Sequence, residues 1–296
     1  MPNEIVLTTA EKRELFRSTA SDPMLRAEFA AGRAEVILPL LDEQSTVRRI
    51  FTVEELAPGA QANYKLPFDD CEVAMTMPQV GQLPVVMFEG GEITVGTFNI
   101  AARVRWQMQV AQEGRFQVAQ RATQWFKNRL IAQEELCGWT MIKAHAAQIT
   151  NTDQQISASG LDLECFNDIL TAGEVLERSI TDLYISPRRY SDVRRWVQAE
   201  NTSDTLRDQV FSNKGLARVW DVNMIRVRKP TLVSDSKGYA FGQREGYTYG
   251  MMPIRENLVT YDDPTAILEF QTGFFGRENL GFAVLDDKAL VELTFG

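Results

Sequence analysis

Histidine is almost missing from this sequence: its 296 residues include one, His145. General acid-base and nucleophilic chemistry most often recruits an imidazole with a partner in reach, so a lone histidine narrows the catalytic options at once. Cysteine is scarce as well. Cys71, Cys137 and Cys165 are odd in number and have no metal-ligand spacing, which predicts free thiols of a reducing compartment. No apolar run approaches the length of a membrane span, and the start, MPNEIVLTTAEKRELF, lacks a basic segment followed by an apolar one. The expected molecule is soluble and made in a cytoplasm. Positive charge is in deficit, since 31 Lys and Arg face 40 Asp and Glu for a formal net charge of -9. Such a surface repels nucleic acid and anionic membrane as a whole, which argues against direct nucleic-acid binding. The glycine signatures G-x-x-x-x-G-K-[ST], G-x-G-x-x-G and G-x-S-x-G are absent too.

What is present is an ordinary globular composition, 44% hydrophobic and 24% charged, enough for one large domain or two small ones. The stretch that organises it runs from Gln112 to Ala146 without a proline. Ala119, Ala122, Phe126, Leu130, Cys137, Met141 and Ala144 recur at steps of three, four and seven, which predicts one stripe of a long helix. Val118, Trp125, Ala132, Leu136 and Trp139 form an adjoining apolar arc. Gln120, Gln124, Lys127, Asn128, Glu134, Glu135 and His145 fall on the polar arc, as in a helix half buried along its length. Gly138 marks either a kink or the close approach of another backbone.

Ahead of this helix, Thr9–Ala20 and Pro23–Ala34 read as helices with too few apolar positions for a core, hence an arm covered by a neighbouring chain. Arg48–Val53 and Arg103–Val110 read as strands that could pair. The segment between them contains Pro58, Pro67, Pro78, Pro84 and Gly90-Gly91, with strand-like runs at Glu72–Met77, Val85–Phe88 and Ile93–Ile100. It reads as a two-stranded flap that needs a surface to rest on. Beyond the helix, residues 149–160 read as a polar linker, and Thr171 and Glu174 as a capping box that opens a helix. Asp182–Ser186 reads as a strand, and Pro187 as the first residue of a helix carrying Tyr190, Val193 and Val197. Strands follow at Val219–Val227, Gly238–Phe241 and Leu258–Tyr261. Last comes a hairpin of Ala266–Phe275 and Leu280–Leu285, with its turn at Gly276–Asn279.

Candidate chemistry is thin. His145 reads as a solvated residue near the negative end of the helix dipole. Cys137 lies on another face, which disfavours a Cys-His pair. Asp69-Asp70, Asp262-Asp263 and Asp286-Asp287 are isolated pairs without regular ligand spacing and read as solvated turns. Glu134 and Glu135 point about 100° apart and make no paired-carboxylate site. Arg188, Arg189, Arg194 and Arg195, with Asp192 between them, read as a salt-bridged or partner-facing surface. The expectation is no catalytic residue, no cofactor and no metal ligand.

An arm, a long flap, a spine-length helix, a mixed α/β domain and a terminal β return form an unusual order. With VRRIFTVEELAPGAQANYKL, FEGGEITVGTFNIAARVRW and the closing FFGRENLGFAVLDDKALVEL, the chain resembles the major capsid proteins of tailed phages. The resemblance implies an α+β chain of the Hong Kong 97-type capsid fold. Residues 1–46 would be the N-terminal arm, 47–110 the extended loop and its strands, and 111–150 the peripheral-domain spine helix. Residues 151–255 would be the axial domain, and 256–296 the return strands, which could end in the axial domain. It implies a non-enzymatic shell subunit of a tailed double-stranded DNA bacteriophage, assembled as hexamers and pentamers in an icosahedral virion. Its partners would be further copies, a separate scaffolding protein, a portal protein and, in some phages, a cement or decoration protein. The shell would enclose DNA without sequence-specific binding. Lys65 is the only lysine of the extended loop, and no partner residue for a crosslink is identifiable. Two other readings stay open: an encapsulin nanocompartment shell of the same fold, and an oligomeric soluble α/β enzyme, which needs a polar constellation the sequence does not display.

Overall fold

The computed structural model describes residues 9–57, 59–66, 91–199, 217–244 and 248–296. The chain begins with helices α1 (Thr9–Ser21), α2 (Pro23–Gln44) and α3 (Val47–Ile50), followed by strands β1 (Thr52–Glu55), β2 (Asn63–Lys65), β3 (Glu92–Thr94) and β4 (Phe98–Gln107). A short helix α4 (Met108–Gln112) precedes the long helix α5 (Phe116–Ala146). Next come β5 (Gln155–Ala158), α6 (Leu163–Val175), β6 (Ser179–Ile185), α7 (Pro187–Ala199), β7 (Ala217–Val219), β8 (Val222–Arg226) and β9 (Lys237–Gln243). The last strands are β10 (Gly250–Asp262), β11 (Gln271–Leu280), β12 (Ala283–Val284) and β13 (Leu290–Phe295).

Two main sheets result. The first has the order β1-β10-β11-β4, with β12 beside β10; the second runs β5-β13-β9-β6-β8-β7. β1 and β4 therefore do not pair, contrary to the sequence expectation. They stand at opposite edges, because the C-terminal strands β10 and β11 insert between them, β10 parallel to β1 and β11 antiparallel to β4. Alternation along β1 and β4 reports which face is apolar and carries no information about the neighbour. Arg48 to Ile50 is helical, and so are Met108 to Gln112, so both predicted strands are displaced toward Thr52–Glu55 and Phe98–Gln107.

Gly276–Asn279 is not a turn. It lies mid-strand in β11, paired with both β10 and β4. A Cβ at Gly276 would lie 2.7 Å from the Phe126 ring, so this glycine lets α5 approach the sheet. The chain instead reverses through a 3-10 turn, Pro264–Glu269. The polar linker after α5 contains β5, an edge strand parallel to β13. α6 is capped by Asp162, whose side chain accepts from the Cys165 amide, and Thr171 lies inside it. Pro187 does open α7 as predicted.

The spine helix is 31 residues long, about 46 Å at 1.5 Å per residue. It starts at Phe116, because Gly114 takes a left-handed φ of 67° and breaks it from α4. Its first half packs on the first sheet, with Phe126 and Phe274 ring centroids 5.0 Å apart. Its second half packs on the second sheet, where Trp139 meets Tyr184 and Tyr239 at 5.6 and 5.7 Å. The buried face follows the two sheets and not a straight stripe. Met141 and Ala144 are exposed, while Lys127, Glu134 and Glu135, expected on the polar arc, are buried. Trp125 and Leu136 are half exposed. On its other face the second sheet buries Leu183, Ile185, Ala240 and Leu293 against Phe166 and Ile169 of α6 and Val193 of α7.

The arm packs on the body of its own chain through one face, while Met24 and Val36 on its helices stay exposed. Phe16 is buried against Phe29, Trp106 and Phe116, and the Thr260 hydroxyl donates to the Ala30 carbonyl at 2.6 Å. The helix α2 continues ten residues past Ala34, which brings Ile37 into the same core and supplies the apolar contact that Pro23–Ala34 lacks. β2 and β3 form the antiparallel base of the flap, and Ala62 and Val95 beside them pack on Ala283. The runs Glu72–Met77 and Val85–Phe88, with Asp69, Asp70 and Cys71, lie outside the described residues.

Gly138 does not kink α5, which runs through it unbroken. A Cβ there would stand 2.4 Å from Cγ1 of Val47, so the glycine makes room for α3. Gly138→Ala is expected to destabilise the chain by about 1–3 kcal/mol through overpacking, despite alanine's better helix propensity. Adding Val47→Ala should recover most of that loss in urea unfolding; an additive double variant would contradict the contact.

Candidate functional site

His145 is half buried, not solvated. Its Nδ1 lies 3.2 Å from the Tyr249 hydroxyl, and burial holds its pKa below the ordinary value, opposed by the nearby Asp287 and Asp286 carboxylates. The fold therefore favours the neutral ring, and the unfolded chain takes up the proton more readily as pH falls. Stability from this group should be complete above the ordinary imidazole value near 6.5 and be lost as pH falls through the depressed folded value. Urea midpoints measured across that window should decline less in His145→Gln than in the natural chain. Equal declines would remove His145 as the cause.

Of the acidic pairs within the described residues, Asp262-Asp263 and Asp286 meet arginines and are not solvated turns, whereas Asp287 is exposed as expected. Asp263 accepts from Nε of Arg105 at 2.6 Å, lies 3.3 Å from Nε of Arg103, and accepts from the Thr265 hydroxyl. Burial pushes its carboxyl up, but these partners outweigh it and hold the pKa below the usual carboxylate range. Asp262 faces Arg26 at 3.6 Å. Asp286 forms a fully buried pair with Arg178 at 2.6 Å. Aspartate pairs look alike in sequence whether a turn or an arginine from a distant segment awaits them.

Glu134 and Glu135 do point apart, and each meets its own partners. Glu134 accepts from Ser45 and from Arg48, whose guanidinium also reaches Glu278 of β11. Glu135 accepts from Lys229 at 2.7 Å and from Thr46, whose hydroxyl in turn accepts from the indole of Trp139. These networks fasten the α2–α3 corner to the spine helix. Within these networks Glu134, Glu135 and Glu278 are all held by cations or hydroxyls.

Arg189 spends its guanidinium on the carbonyls of Asp235, Ser159 and Gly296, faces Asp192 at 3.5 Å and covers the Phe295 ring at 4.4 Å. Arg195 also faces Asp192, at 3.8 Å, so this one carboxylate is shared by two arginines, and Arg188 is exposed. The side chains of Arg194 and Val197 lie outside the described residues. Burial pushes the Cys165 thiol up to about 11, which leaves it un-ionised and unreactive near neutral pH. Cys137 receives a weak bond from Gln133, one turn earlier on the same helix. Lys65 is exposed on β2. Among the described residues there is no group of three or more His, Cys, Asp or Glu side chains that could hold a metal ion, and no helix long and apolar enough to cross a membrane.

Sequence reasoning missed two surface features. One is the apolar tip Ile267, Leu268 and Phe270, read as part of a strand but exposed on the turn between β10 and β11. The other is a groove on the solvent side of α5, lined by Trp125, Asn128, Arg129, Ile131, Ala132 and Lys229. Both are rich in apolar side chains, and periodicity alone assigns such side chains to the core.

No family model matches the chain, and no curated protein matches it in sequence. Solved structures do match over most of its length. A chain of Microbacterium phage Oxtober96 aligns with 85% of this chain and 90% of its own at 14% identity, with a TM-score of 0.55. The virus-like particle from Pyrococcus furiosus aligns over 90% of this chain and 98% of its own, at 13% identity and a TM-score of 0.53. The capsid of a native GTA particle covers 85% and 90%, at 12% identity and a TM-score of 0.55. Spine helix, two-sheet body and hairpin base thus occur together in an architecture already known from shells: the chain has the Hong Kong 97-type capsid fold.

Proposed function

We propose that this chain is the major capsid protein of a tailed double-stranded DNA bacteriophage, a non-enzymatic subunit that assembles as hexamers and pentamers of an icosahedral shell. The observation that carries this reading is likeness of the whole fold, over 85% of this chain and 90% of a phage chain. In this reading residues 1–46 are the arm, 47–110 the extended loop, 111–150 the spine of the peripheral domain, 151–255 the axial domain and 256–296 the return. The second-sheet strands from Gln155 to Gln243 fall within 151–255, and β13 closes the chain in that same sheet. A separate scaffolding protein would guide assembly, a portal protein would occupy one vertex, and a cement protein is an optional addition. The net charge of -9 suits a wall along which packaged DNA slides without sequence-specific binding.

A second reading is favoured by the match to the Pyrococcus furiosus virus-like particle, which spans 98% of that chain. In it the shell is an encapsulin compartment that encloses protein cargo. Electron microscopy and light scattering of the protein, alone and with its scaffolding partner, test the shell. Closed particles are expected, whereas a compact monomer that never forms rings or shells overturns both readings. Particle contents separate them: packaged double-stranded DNA supports the phage capsid, and a cargo enzyme supports the compartment.

A further inference from the structure

The turn between β10 and β11 presents apolar side chains to solvent on a rigid mount. Leu268 is 84% and Phe270 81% exposed, with Ile267 beside them at 40%. The mount is Arg105, whose guanidinium bonds Asp263 at 2.6 Å, Glu269 at 2.7 Å and the Thr265 hydroxyl at 2.7 Å. Phe270 itself is held in the left-handed region at φ 54°, unfavourable for an aromatic residue, with its amide on the Ile267 carbonyl and its own carbonyl accepting from Met108. A loop this well fixed does not fold its apolar tip inward. It is preorganised to place that tip on something else.

The same chain carries a surface of matching chemistry. The groove along α5, about 420 Å³, offers the Trp125 ring, Ile131 and Ala132. At its rim, Arg129 lies over the Trp125 ring at 5.0 Å and has no carboxylate partner among the described residues. Lys229, at the same rim, is paired with Glu135. The tip brings the complement: Glu269 is more than half exposed and meets Arg105 through Oε2. Arg105 projects from the face of β4 opposite to Val104 and Trp106, which are buried, whereas Trp125 and Arg129 stand on a face of α5 other than that of Phe126 and Leu130, the face that packs on the same sheet. One copy therefore cannot satisfy both on itself.

We propose that the Leu268–Phe270 tip of one copy seats in the Trp125–Ala132 groove of a second copy, with Glu269 facing Arg129. Such a contact joins two different patches, so it repeats head to tail from copy to copy, and rings or closed shells result when the rotation closes. The inference rests on the shell reading and names one of its contacts. The test compares particle formation by the natural chain, Leu268→Asp with Phe270→Ser, Glu269→Gln, Arg129→Gln, and the last two combined. Removal of the apolar anchors is expected to weaken association about 30-fold or more, with the circular dichroism of the unassembled chain unchanged because both residues are exposed. Glu269→Gln also weakens the bond to Arg105, so the readout is coupling: the combined variant should lose clearly less than the product of the two single losses. Particles of the natural chain alongside full assembly of the anchor variant, or losses that simply multiply in the combined variant, overturn this contact and leave the shell reading standing. A natural chain that never assembles removes the shell reading itself.

Discussion

Arg48→Met is expected to bring the chain close to unfolding. The Arg48 guanidinium lies 3.0 Å from Glu134 and 2.6 Å from Glu278, and the three side chains are 4%, 1% and 2% exposed. Together they tie α3, the spine helix and β11. Loss of the cation leaves two carboxylates in a desolvated site. Breaking a buried pair by removing one partner typically costs about 3–5 kcal/mol, and two stranded carboxylates place this variant at the upper end. A whole domain is stable by only about 5–15 kcal/mol. Replacing all three residues by apolar ones of similar volume should be nearly neutral. Urea unfolding of the single and triple variants measures both, and a single variant within about 0.5 kcal/mol of the natural chain would show that the pair contributes nothing.

That triad also shows where sequence reading stops. The long helix was legible because an apolar repeat over 31 residues without proline has few other solutions, and the succession of arm, flap, spine and mixed domain supplied the fold. The buried charges were not legible. Glu134, Glu135 and Lys127 fall on a polar arc by type, and only Arg48 and Lys229, about 90 residues away in either direction, decide that the two glutamates are inside. Strand pairing failed for the same reason: β1 and β4 are separated by strands that begin some 140 residues after β4. Glycines misled where they serve close approach. Gly276 looked like a turn because the helix that needs its missing Cβ is far away in sequence. At the surface the error reversed, since Trp125, Leu136 and Leu268 are apolar by type and exposed in the chain, as befits a protein whose proposed work is to meet copies of itself.

Trp139→Ala is expected to loosen the spine helix from the second sheet while the first sheet keeps its hold. Trp139 is 1% exposed, and its ring meets Tyr184 of β6 and Tyr239 of β9. Its indole N–H donates to Thr46, so truncation also withdraws a donor from the α2–α3 corner. Tryptophan-to-alanine changes in a core cost about 3–5 kcal/mol, and little collapse is available here between a helix and a six-stranded sheet. Phe126, one half of the helix away, bears on Phe274 of the first sheet and is untouched by the change. The loss should therefore be uneven. Amide exchange should accelerate most in β6, β9 and the last turns of α5, and least in β10 and β11, where Phe126 still anchors the helix. Trp139→Phe, which keeps an aromatic ring between the two tyrosines but not the donor, should recover most of the protection. Uniform acceleration across both sheets would mean that the helix and the two sheets open as one unit, and that Trp139 is not the separate fastening of the second sheet.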